Sequence, residues 1–286
     1  MYKEYLKFLV CPVCKKDLEI KILNPTEEEI IFGYLDCRFC GKSFEIKEGI
    51  PYLVPEIFEK TTRYQEWKEK QERGEKSYLE DEKSYKKYSD NIAKEFAKWS
   101  DFKGLLLDIG CGIWSLPVYA EFIKPPNAFW GTDPLKGRPK RFPFVVAVGE
   151  YLPFRDKQFD QCICATTLDH VIDPLRIILE GKRVLKDEGE FFIWVGVFGG
   201  SKRKDKISKF FSLMRKRNLI FSLKKAIKYF LEILKTRILL LLNKPLDKLH
   251  FYYFSEEDME KLLKRVGLKI KNKKLIDNSL FIKAIK

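Results

Sequence analysis

Leu105-Leu-Leu-Asp-Ile-Gly-Cys-Gly112 is the stretch of sequence that decides the fold of this chain. Its apolar residues surround a single acid, Asp108, and end at two glycines one residue apart, Gly110 and Gly112. A short apolar run that ends in a glycine turn is typical of a buried parallel strand. Glycine also lets the backbone approach a ligand that a Cβ atom would exclude. The stretch therefore predicts a strand followed by a ligand-binding turn.

Asp108 would lie at the carboxyl end of the buried strand, where a carboxylate is costly unless a cation or a hydrogen-bond donor meets it. A ligand with an ammonium group would satisfy this acid. We also expect a helix over residues 115–122, whose free N–H groups would face the same ligand. Strand, turn and helix together predict a nucleotide pocket.

Strands and helices alternate along the rest of the chain. Strands are predicted at 128–132, 144–148, 161–165, 190–197, 268–275 and 279–285, and helices at 173–185 and 255–266. Ser255 and Asp258 form the capping-box pattern of the last helix. This alternation predicts a mostly parallel sheet with helices on both faces and an antiparallel edge formed by the last two strands. Ligands of such a sheet bind at the carboxyl ends of its strands.

Four of the seven cysteines form two C-x-x-C pairs near the start of the chain: Cys11, Cys14, Cys37 and Cys40. Each pair points two sulfurs at one place, and two pairs complete a tetrahedral thiolate site for zinc. Four thiolates leave no open position for water, so the metal would be structural. Residues 1–55 are therefore predicted to form a zinc-ribbon domain.

Residues 56–100 are charged and aromatic, and they predict a helical linker. Apolar and aromatic residues recur at helical spacing from Tyr78 to Trp99, as in an amphipathic helix that packs on a domain. Gly74 is expected to separate this helix from an earlier one that contains Trp67.

Residues 201–248 form a basic insert with fifteen lysine or arginine residues and three acids, in a chain of net charge +14. From Leu223 to Leu241 the apolar residues share one helical face and the lysines lie off it. Such a helix suits an anionic membrane surface or a cap over a lipid acceptor. RNA is the alternative partner. A partner protein and a solvated surface without a partner also stay open.

The longest aliphatic run, 238–242, is too short to span a bilayer. The start of the chain is too charged for an export segment, and four cysteines fit a metal site rather than disulfides. These features predict a cytoplasmic protein, and the basic insert allows it to lie at the periphery of the membrane.

Several blocks of the sequence, in order, resemble the class I S-adenosylmethionine-dependent methyltransferases, and in particular the quinone-methyltransferase-like type 11 branch. Asp108-Ile-Gly-Cys-Gly112 is similar to the motif that holds the amino acid part of the cofactor. Gly131-Thr-Asp133-Pro is similar to the strand end whose acid binds the ribose hydroxyls. The other blocks are Glu150–Phe154, Phe159-Asp160, Leu168–Val171, Asp173-Pro174 and Arg183–Lys186. The ribbon resembles the short zinc-binding domain of methyltransferase activators.

The resemblance implies an α/β fold: a Rossmann-like, doubly wound, mostly parallel seven-stranded sheet over 101–286, with a helical cap insertion at 201–248. It implies S-adenosylmethionine as cofactor. The implied cofactor-binding residues are Asp108, Gly110, Cys111, Gly112, Asp133, Gly149, Glu150, Leu152 and Ala165. Two residues depart from the pattern: Trp114 replaces a small residue of the turn, and Val148 replaces an acid that reaches the adenine.

Methyl transfer needs an acceptor aligned with the methyl carbon, and it needs a base where the acceptor carries a proton. The candidate catalytic residues are Asp169, His170 and His250, which include both histidines of the chain. The alternative for His170 is that it simply opens the helix that follows.

Two other functions stay open on the sequence. Asp133 lies about twenty residues after the turn, as an acid does in dinucleotide-binding folds, but Asp108 and the Ser115 in place of a third glycine favour the methyl donor. A non-catalytic, zinc-dependent binding module would result if Trp114 blocked the pocket.

Overall fold

The computed structural model describes residues 1–22, 29–80, 82–197 and 249–286, with the backbone alone for 82–90. The basic insert at 201–248, and with it the predicted cap and its lipid or RNA surface, lies outside the described residues. None of the helices in the described ranges is long and apolar enough to cross a membrane.

The N-terminal sheet is antiparallel and follows the order of the chain. Its strands are β1 (Glu19–Ile22), β2 (Gly33–Asp36), β3 (Ser43–Lys47) and β4 (Ile50–Pro51). Leu35 of β2 pairs with Phe44 of β3, and both side chains are buried while their neighbours along the strands are more exposed. This alternation is the signature of a half-buried sheet. The predicted ribbon is confirmed.

The second sheet has seven strands within the described ranges. They are β5 (Leu105–Ile109), β6 (Ala128–Asp133), β7 (Phe144–Val146), β8 (Phe159–Ala165), β9 (Leu185–Gly196), β10 (Lys269–Ile276) and β11 (Ser279–Ile285). Their order is β10-β11-β9-β8-β5-β6-β7, and β11 runs antiparallel to both of its neighbours. The other pairs are parallel. The predicted α/β fold class is confirmed.

Helices cover both faces of this sheet. They are α1 (Glu56–Glu59), α2 (Tyr64–Glu80), α3 (Glu82–Ser100), α4 (Pro174–Val184) and α5 (Glu256–Arg265). Phe96 of α3 packs with Leu106 and Phe192 on one face. Ile177 of α4 and Met259 of α5 pack with the alternate strand residues on the other. The capping box between Ser255 and Asp258 is present as predicted.

Two helix predictions are wrong. Residues 115–122 form no α-helix; a short 3-10 helix, Val118–Phe122, follows Pro117, whose backbone is extended. Its Tyr119 packs edge-on against Phe96 of α3. This tertiary contact holds the segment against α3 although it forms no α-helix. Gly74 does not break α2, which continues to Glu80 with Gly74 buried inside it.

The ribbon and the large sheet share one hydrophobic core. The backbone of Leu53 donates to the carbonyl of Val146 at 2.7 Å, which joins the end of the ribbon to β7 at the edge of the sheet. The ring of Phe8 lies 5.0 Å from that of Trp130 on β6. The predicted divisions at residues 55 and 100 fall at the start of α1 and the end of α3.

Candidate active site and metal cluster

The glycine turn lies at the carboxyl end of β5, in the middle of the sheet. Gly110 and Gly112 have φ values of +80° and +74°, a region that favours glycine. A Cβ atom on Gly110 would lie 2.4 Å from the side chain of Thr167. A Cβ atom on Gly112 would meet no described atom within 4 Å. The turn is packed against protein at Gly110 and faces open space at Gly112.

Asp108 is fully buried beneath this turn. Its Oδ2 accepts a hydrogen bond from the Tyr119 hydroxyl at 2.6 Å, whereas its Oδ1 has no hydrogen-bond partner among the described residues. Burial, reinforced by the nearby Asp133, raises the pKa of Asp108 to about 7. A buried carboxylate oxygen without a donor is costly, and a ligand ammonium group would fit it.

Asp133 joins the end of β6 to the turn. Its Oδ2 accepts from the Gly112 N–H at 2.9 Å, and its Oδ1 accepts from the Leu135 N–H at 2.9 Å. Burial raises the pKa of this carboxyl group. Asp133 therefore lies at the end of β6 and fixes the backbone of Gly112. Its predicted contact with the ribose hydroxyls stays a prediction.

Lys140 is a residue of this region that sequence reasoning missed. Its ammonium group donates to the carbonyls of Gly112 at 2.6 Å and Trp114 at 2.9 Å. Burial lowers the pKa of Lys140. The run of basic residues just after Asp133 could have signalled a cation here.

The loop 134–141 packs against the end of the glycine turn, just before the segment 115–122 that the sequence predicted to be a helix. The Arg138 N–H donates to the carbonyl of Ile113 at 2.8 Å, and a Cβ atom on Gly137 would lie 2.4 Å from that same oxygen. The guanidinium of Arg138 lies 5.1 Å from the centroid of the Trp114 ring, a cation–π distance. Trp114 is thus held by this loop, and its predicted effect on the pocket stays a prediction.

Glu150 and Leu152 both make hydrogen bonds to other residues of the protein. Glu150 is buried, and its Oε1 accepts from the backbone N–H groups of Ile172 at 3.0 Å and Asp173 at 3.3 Å. Burial raises the pKa of Glu150 to about 6. Leu152 is fully buried, and its carbonyl accepts from Lys15 of the ribbon at 3.0 Å. Their predicted contacts with the adenosine stay predictions.

The remaining cofactor candidates lie around the same strand ends. Cys111 and Ala165 are buried, and Gly149 has no room for a Cβ atom, which would lie 2.9 Å from Ile109 and Ile177. Val148 packs with Phe58, Trp67 and Tyr151 in an apolar cluster. Helices α1 and α2 thus cover the region where the resemblance puts the adenine.

Asp169, His170 and His250 come together, although 80 residues separate the two histidines. The Nε2 atoms of His170 and His250 lie 3.9 Å and 3.6 Å from the Asp169 carboxylate. The two imidazole centroids are 4.5 Å apart. The Asp169 carbonyl accepts from the Phe251 N–H at 2.6 Å, which fixes residues 249–251 beside the end of β8.

Helix α2 supports this group from the N-terminal side. The Gln71 side chain donates to the His170 carbonyl at 2.9 Å, and the Lys70 ammonium donates to the His250 carbonyl at 3.3 Å. A segment that the sequence predicted as a linker therefore positions candidate catalytic residues.

The four ribbon cysteines also converge. The Sγ atoms of Cys11 and Cys40 are 3.6 Å apart, and those of Cys14 and Cys37 are 3.4 Å apart. Four thiolates about 2.3 Å from a tetrahedral zinc would be separated by about 3.8 Å. Burial raises the pKa of the Cys11 thiol to about 12, so a metal that binds the thiolate would displace its proton. The donor set fits structural zinc.

Comparison with protein families agrees with this architecture. Residues 107–193 match the family model of a methyltransferase domain, and residues 3–49 match that of a Trm112p-like protein. The chain thus combines a methyltransferase domain with an N-terminal Trm112p-like domain. Both resemblances found in the sequence are confirmed.

Individual relatives match parts of the chain. An uncharacterised protein of Methanocaldococcus jannaschii is 32% identical over 128 residues, which are 37% of this chain and 60% of the relative. An uncharacterised methyltransferase of Mycobacterium leprae is 39% identical over 109 residues, which are 34% of this chain and 40% of the relative. The chain covers less than two thirds of the length of either relative.

A solved structure shares the fold. It is the 1,6-didemethyltoxoflavin-N1-methyltransferase of Burkholderia thailandensis, bound to 1,6-didemethyltoxoflavin and S-adenosylhomocysteine. The match covers 94% of this chain and 99% of that one, with 12% identity and a TM-score of 0.52. At this identity the likeness concerns the fold alone.

Proposed function

We propose that this chain, which carries a methyltransferase domain, transfers a methyl group from S-adenosylmethionine to an acceptor. The observation that carries the proposal is the buried Oδ1 of Asp108, which has no hydrogen-bond partner among the described residues. It lies next to a glycine turn that is open at Gly112. The ammonium group of the cofactor's amino acid part would supply the missing donor and the missing charge.

The remaining cofactor contacts follow from the positions of the strand ends. Asp133 lies at the end of β6, where its carboxylate would accept hydrogen bonds from the ribose hydroxyls. Gly110 and Gly112 would let the backbone approach the ligand. The apolar cluster around Val148 would cover the adenine. When bound, the cofactor supplies an electrophilic methyl group on a sulfonium centre.

The protein's own contribution to the reaction is alignment and proton acceptance. Asp169, His170 and His250 lie just beyond the end of β8, and β8 pairs with β5. The pairing of these two strands supports a role for the three residues beside the glycine turn, where an acceptor would meet the methyl group. An imidazole there could take the proton of the acceptor. The zinc of the ribbon would act structurally, because its four thiolates close the coordination shell.

The acceptor we propose is a lipid or a membrane-associated small molecule. The support comes from the sequence of the insert at 201–248, whose apolar face and off-face lysines suit an anionic interface. Lys224, Lys225 and Lys228 carry the positive charge of the central helix that the sequence predicts.

Labelling a cell extract with a radioactive methyl donor tests both parts of this proposal. We expect label in the lipid fraction with the parent protein, and at least tenfold less label with Asp108→Asn at limiting donor concentration. Label in RNA, with binding to transcripts that weakens steeply with salt, would replace the lipid acceptor by RNA. Absence of donor-dependent label from every fraction would count against the activity itself.

A further inference from the structure

Both histidines of this chain meet at one carboxylate. We propose that Asp169, His170 and His250 bind one divalent transition-metal ion, in addition to the zinc of the ribbon. The three side chains offer donor atoms that all lie within 4.8 Å of one another. Two imidazoles and one carboxylate are a donor set that zinc and other transition metals accept.

The distances in this cluster are too long for hydrogen bonds and suit a shared cation. An N–H···O hydrogen bond is mostly about 2.7–3.2 Å long, and a separation of about 3.6 Å is no longer one. The Nε2 atoms of His170 and His250 lie 3.9 Å and 3.6 Å from the Asp169 carboxylate. Ligand atoms about 2.1 Å from a tetrahedral ion would be separated by about 3.4 Å. The ribbon cysteines, whose pattern is that of a zinc site, show sulfur separations of 3.4 Å and 3.6 Å in the same structure.

The surroundings orient the donor atoms toward a common point. His170 Nδ1 lies 3.3 Å from the carbonyl of Leu249, which leaves Nε2 on the side of Asp169. A metal-binding histidine typically donates its second ring nitrogen to a carbonyl or carboxylate in this way. The Oδ1 of Asp169 is buried and has no hydrogen-bond partner among the described residues. A metal ion would remove this unfavourable feature.

The ammonium group of Lys70 does not take the place of the ion. Lys70 Nζ lies 3.3 Å from the carbonyl of His250 and 4.0 Å from the carboxylate of Glu66. It also lies 5.0 Å from the centroid of the Phe251 ring. Its contacts are thus with the backbone of His250 and with α2, and the Asp169 carboxylate stays available to a cation.

Three protein ligands leave a coordination position open, in contrast to the four of the ribbon. Thr167, two residues before Asp169, has its hydroxyl oxygen 3.2 Å from the carbonyl of Gly110, so the open position would lie near the glycine turn. The chemistry that follows rests on the proposed function. An oxygen of the acceptor would bind the ion, and the pKa of its hydroxyl group would fall.

The implied acceptor therefore carries a hydroxyl group. With the ion bound, both imidazoles serve as ligands rather than as the base, so the proton would leave to solvent. The oxygen would form the new bond to the methyl carbon. The carbon–sulfur bond would break with its electron pair on sulfur. No oxidant or reductant is needed for this step.

The presence of only two histidines makes the cluster directly observable. We expect the NMR spectrum of the full, untagged chain with selectively labelled histidine to contain two imidazole rings. Stoichiometric Zn²⁺, added after the ribbon is loaded, should shift both rings together. Asp169→Asn, which keeps the shape of the side chain, should weaken this response at least tenfold. Tyr253→Phe, a change beside His250 that removes none of the three ligands, should preserve it.

Metal analysis of the same proteins provides a second readout. We expect about two zinc ions per chain in the parent and about one in either Asp169→Asn or His250→Gln. Imidazole signals that do not respond to excess Zn²⁺, or equal zinc content in parent and variants, would overturn the site. Binding of S-adenosylhomocysteine, measured in parallel, separates the two proposals. Cofactor binding without a metal response refutes the metal site alone, and the reverse refutes the proposed function alone.

Discussion

The four-cysteine cluster and the glycine turn are two sites built in opposite ways. The cysteines belong to two short turns of the chain, and their sulfurs face one another at 3.4 Å and 3.6 Å. The glycine turn depends on β5, β6 and the loop 134–141, which come together only in the folded domain. It leaves the Oδ1 of Asp108 buried without a partner among the described residues.

The difference shows how each site relates to stability. A closed set of donors commits all its groups to one ion, and that ion then stabilises the fold. An open site keeps a buried polar atom for a ligand, which destabilises the protein until the ligand binds. Removing a metal-binding side chain should therefore destabilise the protein at the first site. Removing the Asp108 carboxylate at the second site should weaken ligand binding with little loss of stability.

The largest expected effect is at the ribbon. Cys37→Ser should lose the structural zinc and lower the free energy of unfolding by more than about 4 kcal/mol, because loss of a metal is among the most damaging changes. Zinc analysis and denaturant unfolding measure both quantities. Cys162→Ala removes a buried cysteine outside the cluster, and it should keep the zinc. Equal losses in the two variants would contradict a special role for the cluster.

A smaller effect is expected where the ribbon meets the methyltransferase domain. Lys15 donates to the Leu152 carbonyl at 3.0 Å and to Glu180 at 2.6 Å. Lys15→Met should lower the free energy of unfolding by about 1–3 kcal/mol, since it removes two hydrogen bonds, one of them to a carboxylate. Arg183 still donates to both acceptors in the variant. The neighbouring Lys16 is exposed, and Lys16→Met should be nearly neutral in the same unfolding experiment. Matching effects at both positions would show that the contact is unimportant.

The smallest expected effect is a dependence on pH. Because the pKa of Asp108 is raised from 3.8 to about 7, the unfolded chain loses this proton at lower pH than the folded chain does. The contribution of Asp108 to stability therefore falls as pH rises from about 4 to about 7. Ligand binding has the opposite sign, since the ionised carboxylate is the form that attracts an ammonium group.

Titrations of S-adenosylhomocysteine between pH 6 and pH 8 test this sign. Affinity should rise about tenfold over the range and level off above pH 7. Asp108→Asn should remove most of this increase in affinity with pH. A smaller increase should remain, because the pKa values of Asp133 and Glu150 are raised as well. Affinity that falls as pH rises would contradict the proposed role of Asp108.

The sequence predicted the parts of this molecule that depend on local patterns. The C-x-x-C spacing identified the four cysteines that converge in the ribbon. The alternation of strands and helices predicted that the large sheet is mostly parallel. The helix predicted over 115–122 is absent because Pro117 is extended and Tyr119 packs on α3. Gly74 does not break the helix as predicted, because it occupies a buried position inside α2 where a glycine is tolerated.

Parts that depend on distant contacts could not be predicted in the same way. Lys140 bonds the glycine turn from the loop after β6, and no local pattern pairs these two segments. Asp169, His170 and His250 were each identified in the sequence, but their meeting at one point follows from the contact of residues 249–251 with the end of β8. Sequence patterns predict residue types and elements, and tertiary packing decides which of them meet.

The most direct test of the account is calorimetric titration of the folded protein with S-adenosylhomocysteine, beside Asp108→Asn. The parent should bind about one molecule per chain. The variant should bind at least tenfold more weakly, as expected when a charge-assisted hydrogen bond worth about 1.5–3 kcal/mol is lost, and its unfolding free energy should be equal or higher. Equal binding by parent and variant, or binding of NADH in place of S-adenosylhomocysteine, would contradict a methyl-donor site at this turn.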